Sequence, residues 1–263
     1  MKTAFLIFAG LFLAVSPAGA TGKETAQFLK KLNGYYYCLS RDGLQNYSFE
    51  MDCALEEKSK KELLARGAFD KKLWAAVQGL HLRLEDGVDR PLEVEGSGVL
   101  KTGKPALDAR IEKLDEDILQ ALKAFFQFWK GITLEPLNDP RDIDQGTLKY
   151  QKGAQGFKIL QGDPSGGSVA GSFDAKGKLL DLTTQSDGVQ TKAQPLFIYT
   201  QKGYLLQGVV LTAPGISQGC KIKYGSTGAY WMPKSLVLGI QLPGAKTRDV
   251  EIQVRVKNIQ LKP

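Results

Sequence analysis

The feature that most restricts the fold of this chain is a period of two in its second half. Val250, Ile252, Val254 and Val256 alternate with Glu251, Gln253 and Arg255, and Leu236, Leu238, Ile240 and Leu242 also recur at every second position. An extended backbone points successive side chains to opposite sides, so such stretches fold as strands with one covered face. After Val256 the phase slips by one and Ile259 and Leu261 continue the apolar face, which predicts a bulge near Lys257 or Asn258. Further strands are expected around 147–151, 156–161, 168–173, 178–184, 195–200, 203–212, 219–224, 229–242 and 249–261. Turns such as Lys152-Gly153, Ala175-Lys176-Gly177 and Gln201-Lys202-Gly203 separate them, so the rear from about Gln145 reads as an antiparallel meander.

The front, up to about Gly131, has helical spacing. Residues 105–130 place Leu107, Ile111, Leu114, Ile118, Leu119, Leu122, Phe125, Phe126 and Trp129 three or four apart, with Pro105 in the first turn and Gly131 at the end. A helix of that length is roughly 39 Å long and its apolar stripe must be covered. Residues 25–39 predict a shorter helix through Phe28, Leu29, Leu32, Tyr35 and Tyr36, and residues 58–78 another through Leu63, Leu64, Phe69, Leu73, Trp74 and Val77. Between them Tyr47, Phe49, Met51, Cys53 and Leu55 alternate as one face of a strand, and short alternating runs at 80–85 and 92–95 predict two more. The fold class is therefore α+β. Residues 135–142 are the best candidate for a break, yet a single domain near 240 residues suits a strand-rich fold.

The first residues read as a secretory signal peptide: Lys2, an apolar run over 4–15, Pro17 and the small-residue site Ala18-Gly19-Ala20. Cleavage after Ala20 leaves 21–263 as the mature domain, expected to be soluble and periplasmic, and loss of Lys2 lowers the formal charge from +7 to +6. Such a charge favours anionic partners, which outside the cytoplasm are phospholipid or glycolipid head groups and not nucleic acid. In an oxidising compartment Cys38 and Cys53 are close enough in sequence to form a disulfide, worth roughly 3 kcal/mol, with Cys220 left as a buried thiol.

Catalytic signatures are scarce. One histidine (His81) and three cysteines exclude sites that need two imidazoles, or several Cys and His around zinc, and no cofactor is implied. Gly98-Val99-Leu100-Lys101-Thr102-Gly103-Lys104-Pro105 has phosphate-loop spacing, but Pro105 stands where the magnesium-binding hydroxyl belongs. Gly162-Asp163-Pro164-Ser165-Gly166-Gly167 resembles the nucleophile segment of trypsin-like proteases with a proline inserted, and reads as a β-turn. His81 is expected to be a half-exposed strand residue. Glu112, Asp115, Glu116 and Asp117 are expected on the solvated side of the long helix, and the Asn46-Tyr47-Ser48 sequon lies in a strand that disfavours its use. Phe125, Phe126, Phe128 and Trp129 make one end of that helix apolar nearly all round. They are either ordinary core or the lid of an apolar groove or membrane-facing surface.

A helix followed by Leu44-Gln45-Asn46-Tyr47-Ser48-Phe49-Glu50-Met51, and an ending of Tyr230-Trp231-Met232-Pro233-Lys234-Ser235-Leu236-Val237-Leu238 and Val250-Glu251-Ile252-Gln253-Val254-Arg255-Val256-Lys257-Asn258-Ile259, resemble periplasmic lipoprotein carriers of the LolA and LolB superfamily. The resemblance implies a curved antiparallel half-barrel with helices packed on its concave face around an apolar cavity for acyl chains. On that basis Ile118, Leu122, Phe125, Phe126 and Trp129 are expected to line the groove of a non-enzymatic carrier of a lipid or acylated ligand. No arginine here corresponds to the carriers' functional one, so the ligand need not be a lipoprotein. The alternative is a cell-envelope module that binds a protein partner and holds no small ligand. Carboxylate chemistry on envelope lipid or glycan has no residue pattern to support it.

Overall fold

A computed structural model of the chain describes residues 31–65, 70–97, 101–134, 148–153, 156–162, 167–186, 188–214, 216–240 and 250–262. The predicted signal peptide, most of the first predicted helix, the 135–142 break, residues 98–100 of the glycine-lysine loop and 163–166 of the glycine-rich turn lie outside them.

Twelve strands form one large antiparallel sheet that is not closed. In chain order they are β1 (Asn46–Leu55), β2 (His81–Gly87), β3 (Arg90–Ser97), β4 (Leu148–Gly153), β5 (Gly156–Gly162), β6 (Ser168–Asp174), β7 (Leu179–Ser186), β8 (Val189–Thr200), β9 (Gly203–Ala213), β10 (Ile216–Thr227), β11 (Tyr230–Ile240) and β12 (Val250–Lys262). The sheet order is β3-β2-β1-β12-β11-β10-β9-β8-β7-β6-β5-β4. Among the described residues the helices α1 (Glu57–Ala65), α2 (Lys71–Gly79) and α3 (Pro105–Trp129), with the end of an earlier one at 31–33, complete an α+β architecture, and a π-helical turn at Lys130–Leu134 continues α3. The chain divides into two compact units, Arg41–Phe126 with Ser217–Pro263, and Gln127–Ile216 with the residues up to Ser40.

In the first unit β1 lies between β2 and β12 and pairs antiparallel with both. Its alternate residues Tyr47, Phe49, Met51, Cys53 and Leu55 are all buried, as the period of two demands. Opposite them in register stand Leu84 and Leu82 of β2 and Val256, Val254 and Ile252 of β12, all buried as well. The expected bulge is present: Ser48 pairs with Gln260 but Glu50 with Lys257, so β12 carries one extra residue there, and Asn258 takes a left-handed φ of 52°. The Asn258 side-chain amide donates to Glu50 Oε2 at 2.7 Å and fixes the kink.

The helix expected over 58–78 is two helices. Asp70 starts the second: its carboxylate accepts from the backbone N–H groups of Lys72 and Leu73 at 3.0 and 3.2 Å, which satisfies donors that a first turn leaves without carbonyl partners. The loop before α3 is similarly closed. The Thr102 N–H and hydroxyl both donate to Asp108 Oδ1 at 2.7 Å, so a carboxylate of the chain itself takes the donors that a phosphate would need.

In the second unit the segment after the first helix docks on the turn between β8 and β9. Helix ends at residue 33, short of the expected 39, because Gly34 and Tyr35 turn the chain and Tyr36 forms a parallel bridge with Tyr204. The Tyr204 N–H donates to the Tyr35 carbonyl at 2.7 Å and the Tyr37 N–H to the Tyr204 carbonyl at 2.9 Å. Gly203, at φ 110°, permits this approach, since a Cβ there would stand 2.5 Å from the Tyr35 carbonyl oxygen. The buried Tyr36 hydroxyl donates to the Gly177 carbonyl at 2.9 Å and accepts from the Leu179 N–H at 2.7 Å, and burial raises its pKa.

Strand β8 begins at Val189 and not near Pro195 as expected. Proline lacks a donor, but β7 pairs with β8 only as far as Ala193, so Pro195 removes no ladder bond on that side.

The expected Cys38–Cys53 disulfide is not formed: Cys38, Cys53 and Cys220 all carry buried thiols. Cys38 belongs to the segment held by the π turn, where its thiol donates to the Leu134 carbonyl at 3.5 Å. Cys53 lies on the buried face of β1 among that strand's apolar side chains. Closeness in sequence alone does not pair two thiols that are each packed in their own surroundings.

Two measurements check this account. Replacing Tyr36 with Phe leaves the Leu179 N–H buried without its acceptor and should cost about 1–3 kcal/mol in urea unfolding. A thiol reagent should find no reactive cysteine in the native protein and all three in denaturant, where a disulfide would leave one.

Candidate functional site

The sequence-predicted groove residues Ile118, Leu122, Phe125 and Phe126 lie together on α3 in the first unit, each with 1% or less of its surface exposed. Trp129, with Phe128, falls in the second unit and is equally buried. The aromatic end of α3 is thus interior, and its surplus of rings does not face solvent.

In the first unit α3 meets β1 at its aromatic end. Phe126 meets Phe49 at a ring-centroid distance of 5.3 Å and Phe125 edge-on at 5.0 Å, while Phe49 stacks on Tyr47 at 5.9 Å. Toward the other end of the helix, Asp115 lies roughly 16 Å from Phe126. Between the two ends Ile118 and Leu122 belong to the helix stripe and Met51 to the strand face, a strip without a polar side chain.

A buried carboxylate stands at each end of this strip, and the two differ in what they bind. Asp86, fully buried on β2, accepts from the Tyr47 hydroxyl at 2.6 Å and from the Gly87 N–H at 2.8 Å. Asp115 is 7% exposed and neither of its oxygens has a hydrogen-bond partner among the described residues. Burial without compensating bonds disfavours the charged form, and the Asp115 pKa rises for that reason alone. Burial first, then the negative fields of Asp115 and Asp52, pushes the Cys53 thiol up to about 12, where it is no nucleophile at neutral pH.

Asp115 overturns one expectation. Glu112 and Glu116 are exposed and Asp117 pairs with Lys113 at 2.9 Å, as a solvated face should, but Asp115 is core. The signal was available: 111, 115, 118, 122, 125 and 129 follow spacings of four, three, four, three and four, and Asp115 occupies one place in that seam. On α2, which also packs on β1, the buried Trp74 indole N–H is a second polar group without a partner among the described residues.

The opposite face of the same strands is charged. Asp52 accepts from the exposed His81 Nδ1 at 2.6 Å and from Lys257 at 2.8 Å, and its pKa falls, chiefly through Lys257. Lys223, Ser235 and Arg255 are cross-strand neighbours on β10, β11 and β12, and exposed Lys221, Lys223 and Arg255 make no ion pair among the described residues. Among those residues there is also no group of three or more His, Cys, Asp or Glu placed to hold a metal ion, and no helix long and apolar enough to cross a membrane.

The two aspartates give opposite pH dependences. Asp115 binds its proton more tightly in the folded state, so its contribution is present below the ordinary carboxylate pKa and is lost as pH rises through the raised folded value. Asp52 contributes above the ordinary value and loses that contribution as pH falls through its depressed folded value. Urea unfolding between about pH 4 and pH 8 should show the Asp115→Asn variant gaining on the wild type as pH rises, because the amide cannot ionise. A constant difference across that range would place Asp115 in water.

No protein-family model matches this chain, and no curated protein matches it either.

Proposed function

We propose that the protein is a non-enzymatic carrier, exported to the periplasm, that binds a lipid or another acylated ligand along the face of α3. The observation that carries this reading is the buried apolar stripe of α3, roughly 12 Å of helix formed by Ile118, Leu122, Phe125 and Phe126, which meets Phe49 of β1. Such a strip offers an acyl chain continuous hydrocarbon contact at about 25 cal/mol per Å² of buried area. The single open antiparallel sheet and its few helices are compatible with the finer architecture expected from the carrier resemblance, a curved half-barrel with helices on its concave face. In that arrangement α3 is the lid, and a ligand enters by displacing it from β1. The exposed cations Lys221, Lys223 and Arg255, which make no ion pair among the described residues, would hold the protein near an anionic bilayer during loading or delivery.

A second reading, an envelope module that binds a protein partner, is favoured by a different feature. Leu180 of β7 and Leu196 and Tyr199 of β8 are 45%, 53% and 76% exposed. That apolar surface is of the kind buried at interfaces.

Organic extraction and mass spectrometry of the natively purified protein decide between them. The carrier reading expects a lipid in stoichiometric amount, and uptake of an apolar fluorescent dye once the lipid is removed. An empty protein that binds no such dye and co-purifies with one protein in fixed ratio would replace it with the second reading.

A further inference from the structure

Asp115 has no role in a site made only of hydrocarbon. It stands in the apolar seam of α3 between Ile111 and Ile118, both wholly buried, with neither carboxylate oxygen satisfied among the described residues. A buried polar group without a partner costs stability, and a leucine would fill the same place in the stripe without that cost. Its companion Asp86 shows what a structural carboxylate looks like in this core: a tyrosine hydroxyl and a backbone N–H are already in place for it. Asp115 has the burial without the donors. It lies at the end of the strip opposite Phe126, roughly 16 Å away along the helix.

We infer that Asp115 is the polar anchor of the binding strip, and that the ligand is a long-chain amphiphile whose head group carries N–H or O–H donors, as an amine or an alcohol does. The donors of the head group satisfy the Asp115 oxygens while the chain extends along Ile118 and Leu122 toward Phe126. A fatty carboxylate is disfavoured, because two anions would share one apolar site. This inference rests on the carrier reading above and adds the head-group chemistry to it.

The test uses the delipidated full mature chain and displacement of bound N-phenylnaphthylamine by dodecylamine, dodecanol and dodecanoate at neutral pH. The wild type should take up the amine and the alcohol at least about tenfold more tightly than the carboxylate, the ratio that one hydrogen bond to a buried carboxyl supplies. D115L should melt several degrees higher than the wild type, having lost an unsatisfied buried group, yet bind the amine and the alcohol at least tenfold more weakly with no loss toward dodecanoate. D115N, which keeps shape and acceptor, should retain the alcohol and lose the amine. Unchanged amine and alcohol affinity in D115L overturns the anchor. So does a D115L protein that melts lower and is restored by D115N, since that is a structural carboxyl. Equal uptake of all three amphiphiles by the wild type removes the anchor and leaves the carrier; uptake of neither the dye nor any amphiphile removes both.

Discussion

The pairing of β1 with β12 is the constraint on which the first unit depends. It joins Asn46–Leu55 to the final strand, Val250–Lys262, across most of the chain. Closing a loop of that order costs roughly 5 kcal/mol in chain entropy before any strand contact forms. Five buried side chains on β1, at about 1.5–3 kcal/mol each, exceed that cost, and the matching row on β12 adds to them. The bulge at Asn258 belongs to the same solution, since it lets Ile259 and Leu261 keep phase with Tyr47 after the register slips. Helices α2 and α3 then have a covered face to pack on, and the strip that binds ligand in our reading exists only because β1 is fixed.

Carboxylates show how one side chain takes three roles according to its neighbours. Asp52 is held charged by Lys257 and His81 on the solvent side of β1. Asp86 is buried and satisfied, and serves as part of the core's polar framework. Asp115 is buried and unsatisfied, which natural cores avoid unless something is gained. The difference lies in the partners and not in the residue, so a census of acidic residues along the chain carries little about function.

Strand β3, at one end of the sheet order, carries charges that oppose further strand addition. Arg90, Glu93 and Glu95 are exposed on β3, with Pro91 beside them. Charged side chains and proline on an edge make pairing with a second chain costly, as an open sheet requires if it is not to polymerise.

How much could be read without a structure follows from the range of each signal. Strands β4 to β12, their glycine turns and the β12 bulge were legible because a period of two is local and survives in any tertiary setting. The apolar stripe of α3 was legible for the same reason, and it identified Ile118, Leu122, Phe125, Phe126 and Trp129 as interior. Residue type misled where it was weighed without position: Asp115 was assigned to solvent by its charge although its place in the seam put it inside, and Pro195 was taken as a strand start although β8 lacks a β7 partner there. Proximity between distant parts of the chain was not legible at all. The sequence by itself determined which segments are strands and helices and which of their faces seek cover, because those properties depend on neighbours within a few residues. Only the tertiary structure decided that β1 pairs with β12, that Cys38, Cys53 and Cys220 remain thiols, and that Asp115 is buried without a donor among the described residues, because each depends on which distant groups come within bonding distance.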